Sequence, residues 1–220
     1  MSQDLGGRIR VARLERGKSL RAVAADASIS PSLLSQVETG KVQPSVSTLY
    51  AVVASLGLSM DEVLGRRERP TSARRAEPAG PVQPREEGPE VVMENGVTWR
   101  GLATMRAGDG IDAVLATYQP GASSSVDETH MRHSGVEYGY VIRGRLTLRL
   151  EFETYTLRAG DSLCFDSTRP HLYHNDTDEI AEGIWFVIGM NPADHAGSDE
   201  IRSAMDVLHL IGRRPGRVTD

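Results

Sequence analysis

The chain predicts two domains of opposite class: an all-α domain of five helices, then an all-β small barrel. Three observations carry this expectation. Apolar residues recur at helical spacing as far as about residue 64 and at strand spacing from Val91 onward. Five of the 11 prolines fall between Arg66 and Glu90, where no periodic apolar pattern survives. The charge divides at the same place: residues 1–75 carry 12 Lys/Arg against 7 Asp/Glu, a net +5, and residues 76–220 carry 13 against 23, a net −10. The expected division is a helical domain over 1–65, a flexible linker over 66–90, a β-barrel over 91–192, and a helix with a tail over 193–220.

The helical elements follow in order. The first helix, about Asp4 to Arg16, stops at Gly17. Ser19 caps the second, whose stripe is Leu20, Val23, Ala24 and Ala27. The third is marked at both ends. Ser30 is its cap, Pro31 takes the first helical position, and Gly40 ends it. Ile29 and Leu34 form a hydrophobic staple across its start. Leu34 and Val37 share one face of this helix, and Ser32, Ser35, Gln36 and Thr39 share the other. A helix this short is not stable alone, so it must dock by its apolar side. Its outward face is small, polar and almost uncharged, which suits base edges in a major groove. A fourth helix spans Ser45 to Leu56, with Leu49, Val52, Val53 and Leu56 inward and Gly57 as stop. Ser59 and Glu62 fit a capping box for a fifth.

Gly17, Ser19, Val23, Ala24, Ser35, Val37, Glu38, Gly40 and Pro44 give residues 4–64 a resemblance to the phage-repressor-like (XRE-type) helix-turn-helix family. That resemblance implies a sequence-specific DNA-binding domain, with Ser30, Ser32, Leu33 and Gln36 facing the bases. Thr39, Lys41, Arg21 and Arg13 complete the expected DNA-contacting set. It also implies an Arg13–Glu38 ion pair between the first and third helices. Leu20 departs from the family, which often has Gln there. The linker arginines Arg66, Arg67, Arg69, Arg74 and Arg75 are within reach of a DNA backbone.

From Val91 the expected strands are 91–94, 97–102, 111–118, 136–142, 146–150, 154–157, 162–165, 171–174 and 183–188. Turn signals separate most of them: Asn95-Gly96, Pro120-Gly121, Arg143-Gly144 and Ala159-Gly160-Asp161. Many short strands with frequent turns indicate an antiparallel barrel or sandwich. Two segments resemble the paired motifs of the cupin family. The first, residues 120–144, holds His133, Glu137 and Gly144; the second, residues 160–175, holds Gly160, Asp161, His171 and Asn175.

The cupin resemblance implies a metal held by His133, Glu137 and His171, with Fe, Mn, Ni and Zn all compatible with two imidazoles and a carboxylate. Met131 stands where the family has a further histidine. His130, one residue away, points to the opposite face of a regular strand, and His174 is expected to face away. A metal-free pocket lined by the same histidines is the other reading. Tyr138, Tyr140, Phe165, Tyr173, Trp185 and Phe186 are expected mostly in the core, as is Cys164.

Beyond Pro192, Ile201, Ala204, Met205, Leu208 and Ile211 keep helical spacing, either to pack on the barrel or to meet a second copy. No apolar run approaches the roughly 18 residues of a membrane span, no signal peptide is visible, and one cysteine excludes an internal disulfide framework. These features together predict a cytoplasmic, homodimeric transcriptional regulator that is not an enzyme and whose barrel senses a small-molecule effector or a metal. The alternative is an enzyme: the chain also resembles an iron-dependent epoxidase acting on hydroxypropylphosphonate, with the same domain order. In that resemblance His133, Glu137 and His171 are catalytic iron ligands.

Overall fold

The structure is a computed structural model and describes residues 5–58, 60–64, 82–103 and 110–189. Five helices come first: α1 (Leu5–Glu15), α2 (Leu20–Asp26), α3 (Pro31–Glu38), α4 (Val46–Leu56) and α5 (Met60–Leu64). Three starts are capped by serine. Ser19 Oγ accepts from Ala22 N–H, Ser30 Oγ from Leu33 N–H and Ser45 Oγ from Thr48 N–H. Ile9, Val23, Leu34, Val37, Leu49 and Val53 form the centre of the helical core. The Ser59 cap, the linker arginines and the helix expected over 201–211 lie outside the described residues.

Nine antiparallel strands follow: β1 (Glu90–Val92), β2 (Val97–Gly101), β3 (Ile111–Tyr118), β4 (Val136–Arg143), β5 (Arg145–Leu150), β6 (Glu153–Arg158), β7 (Ser162–Asp166), β8 (His171–His174) and β9 (Ala181–Ile188). They form a six-stranded sheet, β1-β2-β3-β9-β4-β7, and a three-stranded sheet, β6-β5-β8. The β1–β2 connection is tight: Asn95 and Gly96 both hold positive φ, 66° and 73°, as a primed hairpin turn requires. Ahead of β1, Gln83 Nε2 donates to Gly101 O at 2.9 Å and Gly101 N–H to Pro89 O at 2.9 Å, so residues 83–89 lie against β2.

Inward positions alternate along each strand. Val97 and Trp99, Val114, Ala116 and Tyr118, Glu137 and Val141, and Trp185 and Val187 line the inner face of the larger sheet. Leu146, Leu148 and Leu150, with His171 and Tyr173, close the core from the smaller one. Gly139 and Gly183 flank the Trp185 indole, and a Cβ on either would come within 3.0 or 2.6 Å of it. Their missing side chains are what let the indole lie against the sheet.

The outer face of the larger sheet is unusually apolar. Tyr138, paired with Phe186 and Cys164, and Tyr140, paired with Ile184, share it. Tyr140 is 51% exposed and Phe186 41%. This corrects four expected core positions. Tyr138, half-buried, and Tyr140 and Phe186 lie on the outside, and so does Cys164, whose neighbour Phe165 is the buried one. In a continuous Leu-Cys-Phe run the composition does not say which alternate residues turn inward; the register against β4 does.

Candidate functional site

The barrel brings together three groups from two separate stretches of the chain. Glu137 lies on β4, His171 opens β8, and His133 lies in the loop before β4, anchored by its amide, which donates to Ser167 O at 3.1 Å. His133, Glu137 and His171 are all buried, and one ligand atom from each lies within 4.8 Å of the others. His133 Nε2 is 3.3 Å and His171 Nε2 3.6 Å from Glu137 Oε2.

The second atom of each group is already committed. His133 Nδ1 donates to Ser134 O at 3.1 Å and His171 Nδ1 to Arg169 O at 2.8 Å. A carbonyl only accepts, so Nδ1 carries the proton in each ring, and the neutral ring keeps a lone pair on Nε2. Both Nε2 atoms are buried and, among the described residues, have no hydrogen-bond partner. Glu137 Oε1 accepts from Tyr173 Oη at 2.5 Å, and Tyr173 Oη accepts from Trp185 Nε1–H at 3.2 Å. That chain turns Oε2 toward the two imidazoles.

The electrostatics agree with this geometry. Burial pushes His171 below the ordinary histidine value, against the pull of Glu137, and so favours the neutral ring. Burial pushes the Glu137 carboxyl up, but the imidazoles of His133 and His171, when protonated, and the Tyr173 hydroxyl pull it below the ordinary carboxylate value. Burial, reinforced by Glu137, keeps the hydroxyls of Tyr50, Tyr118 and Tyr173 far above the ordinary tyrosine value, so they act as neutral groups. With both rings neutral, two lone pairs and a carboxylate oxygen converge. A divalent cation fits that donor set.

Met131 sits beside the triad, bridged to His171 by hydrogen bonds in both directions at 2.9 and 3.0 Å, and lines the adjacent cavity. His130 and His174 are outside the converging group. Asn175, the last residue of the second motif, is structural. Its amide donates to Tyr118 O, Gln119 O and Glu179 O, tying two loops together.

In the helical domain, Ser30, Ser32, Gln36, Thr39, Lys41 and Arg21 are exposed and Leu33 is half-buried. Leu34, Val37 and Glu38 occupy the buried side of α3. Arg13 departs from its expected place on the DNA-facing surface. It is 8% exposed, with Nε and Nη2 donating to Glu38 at 2.6 and 2.8 Å and Nη1 to Lys18 O at 3.1 Å. The implied Arg13–Glu38 pair is present, and it leaves the guanidinium no free edge for a phosphate.

Sequence reasoning missed Tyr50. This residue of α4 faces the barrel, where its ring stacks on the imidazole of His133 at a centroid distance of 4.1 Å. The signal available was a large aromatic in a stripe otherwise of Leu and Val. Helical spacing alone does not distinguish a residue that caps another domain from one buried in its own.

The chain matches two domain families: the helix-turn-helix domain over residues 4–64 and the cupin domain over residues 114–187. It is 28% identical over 188 residues to the HTH-type transcriptional regulator PuuR of Escherichia coli, spanning 81% of this chain and 91% of that protein. It is 36% identical over 80 residues to the transcriptional regulator ClgR of Mycobacterium tuberculosis, spanning 34% of this chain and 71% of that protein. Among solved structures, an HTH_3 family transcriptional regulator from Vibrio cholerae shares the fold at a TM-score of 0.63 and 19% identity, over 85% of this chain and 96% of that one. The chain thus joins a helix-turn-helix domain to a cupin domain, and it belongs with the helix-turn-helix transcriptional regulators.

Proposed function

We propose that the protein is a cytoplasmic, homodimeric regulator that reads operator DNA through α3 and senses a divalent metal, or a small molecule, in its barrel. The observation that carries the DNA half is the division of α3. Its apolar side and Glu38 are buried, while Ser32 and Gln36 stand free at its outer face beside the capped start at Ser30. In this reading Ser30, Ser32, Leu33 and Gln36 meet base edges, and Arg21, Thr39 and Lys41 meet phosphates. Arg13 is excluded from the set by its engagement with Glu38.

His133, Glu137 and His171 would hold the metal, with Fe, Mn, Ni and Zn the candidates; the ion would supply open coordination positions for a small ligand. The protein's own contribution is orientation: Ser134 O and Arg169 O fix the imidazoles, and Tyr173 fixes the carboxylate. On this reading the barrel signals and does not turn over a substrate. The exposed apolar face around Tyr140 and Phe186 supports the homodimer.

Selection of bound duplexes from a random pool tests the DNA half. The full-length protein should enrich one motif, and failure to enrich any would refute it. Metal analysis of untagged protein tests the other half, with oxygen uptake in the presence of iron expected to be absent.

A further inference from the structure

Helix α4 serves two domains at once. Leu49, Val52, Val53 and Leu56 are buried with the other helices. Val46 and Tyr50, on the same helix, line a cavity whose remaining walls include Trp99, Met131, Glu137 and Trp185 of the barrel. The Tyr50 ring lies flat on His133, with 9° between the planes, and meets Trp99 edge-on at 5.6 Å. Two backbone hydrogen bonds run beside this contact. Ser47 N–H, one of the open amides at the start of α4, donates to Ser124 O at 3.0 Å, and Glu94 N–H donates to Pro44 O at 3.1 Å.

The cavity beneath is small. Its free volume of about 20 Å³ admits a water or a bare ion but no organic molecule. Its floor is built from barrel strands, bound on both sides into the larger sheet at Val114, Ala116 and Trp185. The remaining wall, α4, meets the barrel backbone at Ser47, with Pro44 just ahead of it.

We infer that the sensor site is shared between the two domains, with α4 as its lid and Tyr50 as the residue that decides what enters. A divalent cation fits with the lid closed. An organic ligand fits only when Val46 and Tyr50 withdraw. Because the other side of α4 is packed into the helical core, withdrawal takes the whole reading domain off the barrel; packed interiors switch between arrangements and do not stretch. A ligand that occupies only the open arrangement shifts the population toward it, by as much as its affinity for the two arrangements differs. Ligand size is thereby converted into the position of α3. The inference rests on reading the barrel as a sensor, and its test separates the two.

The decisive measurement is amide hydrogen exchange on the full-length protein, with no ligand, for wild type, Tyr50→Ala and Trp99→Ala. One variant trims the contact from the helical side and the other from the barrel side. The amides of Ser47 and Glu94 should exchange at least about tenfold faster in both, while those of Val52–Leu56 keep their wild-type rates. Wild-type exchange at Ser47 and Glu94 in both variants would overturn the lid. A second arm uses Co(II) as the probe: its release to a chelator should be at least about tenfold faster in Tyr50→Ala and unchanged in Tyr50→Phe, which keeps the ring. Equal release from Tyr50→Ala and wild type would also overturn the lid. Failure of the wild type to bind Co(II) would instead overturn the metal reading of the triad and leave the exchange result to decide the lid alone.

Discussion

Tyr173 is the residue on which the orientation of the Glu137 carboxylate turns. It sits between Trp185 and Glu137, accepting from one and donating to the other. Tyr173→Phe keeps the ring and removes both bonds. Metal affinity should then fall about 10–100-fold, the usual cost of losing a group that orients a ligand. His133→Ala, Glu137→Ala and His171→Ala should each abolish binding, and His174→Ala should leave it intact. Equilibrium titration with Co(II) distinguishes the three classes. A pH dependence follows from His171, whose folded value lies below the ordinary one because it is buried. Between that folded value and about 6.5 the unfolded chain binds more protons, so stability is full above about 6.5 and falls as pH drops through this window. Glu137 acts in the same direction at lower pH, since its charged form is the one held in the fold. Melting of metal-stripped protein between about pH 8 and about 5 should show the loss, and His171→Ala should flatten it.

At the scale of elements, α1 and α3 are joined by a charged contact and a close approach. Glu38 is 5% exposed and holds Arg13 through both carboxylate oxygens. Glu38→Ala leaves the guanidinium buried without a counter-charge and should cost about 3 kcal/mol. Gly6 lies against the carbonyl of Val37, where a Cβ would sit 1.9 Å from the oxygen. Gly6→Ala should therefore lever α1 off α3 and cost about 1–3 kcal/mol. Urea unfolding of each full-length variant, followed by helical circular dichroism, gives both values. These elements were legible in the sequence because their signals are local: serine caps, Pro31 at the first position of α3, and the Asn95-Gly96 turn all act within a few residues. The triad was legible for another reason, since His133, Glu137 and His171 carry a spacing tied to one family of barrels. The two roles considered for Arg13 were separable only once its distance to Glu38 was known. The facing of Cys164, Tyr140 and Phe186 depends on pairing with distant strands, which no window of sequence contains.

At the scale of the whole molecule, two-fold proteins meet two-fold operators. The enriched DNA should hold two half-sites about one helical turn apart, or a multiple of it, and Gln36→Ala should weaken one base position in each half by about 1–3 kcal/mol. Competition titrations against single-base variants of the selected site measure this. The proline-rich linker, read alone, predicts a flexible connection between the domains. Tyr50 adds a direct contact between them, and it was hidden from the sequence because the partner of its ring, His133, lies 83 positions away. Cys164, the single cysteine of the chain, stands exposed in the apolar outer face beside Tyr138. That placement makes the thiol a clock for assembly. If copies meet on this face, the rate of its reaction with a disulfide reagent should rise on dilution as the dimer parts, so thiol kinetics would report the dissociation constant of a complex whose only thiols are its two copies of Cys164.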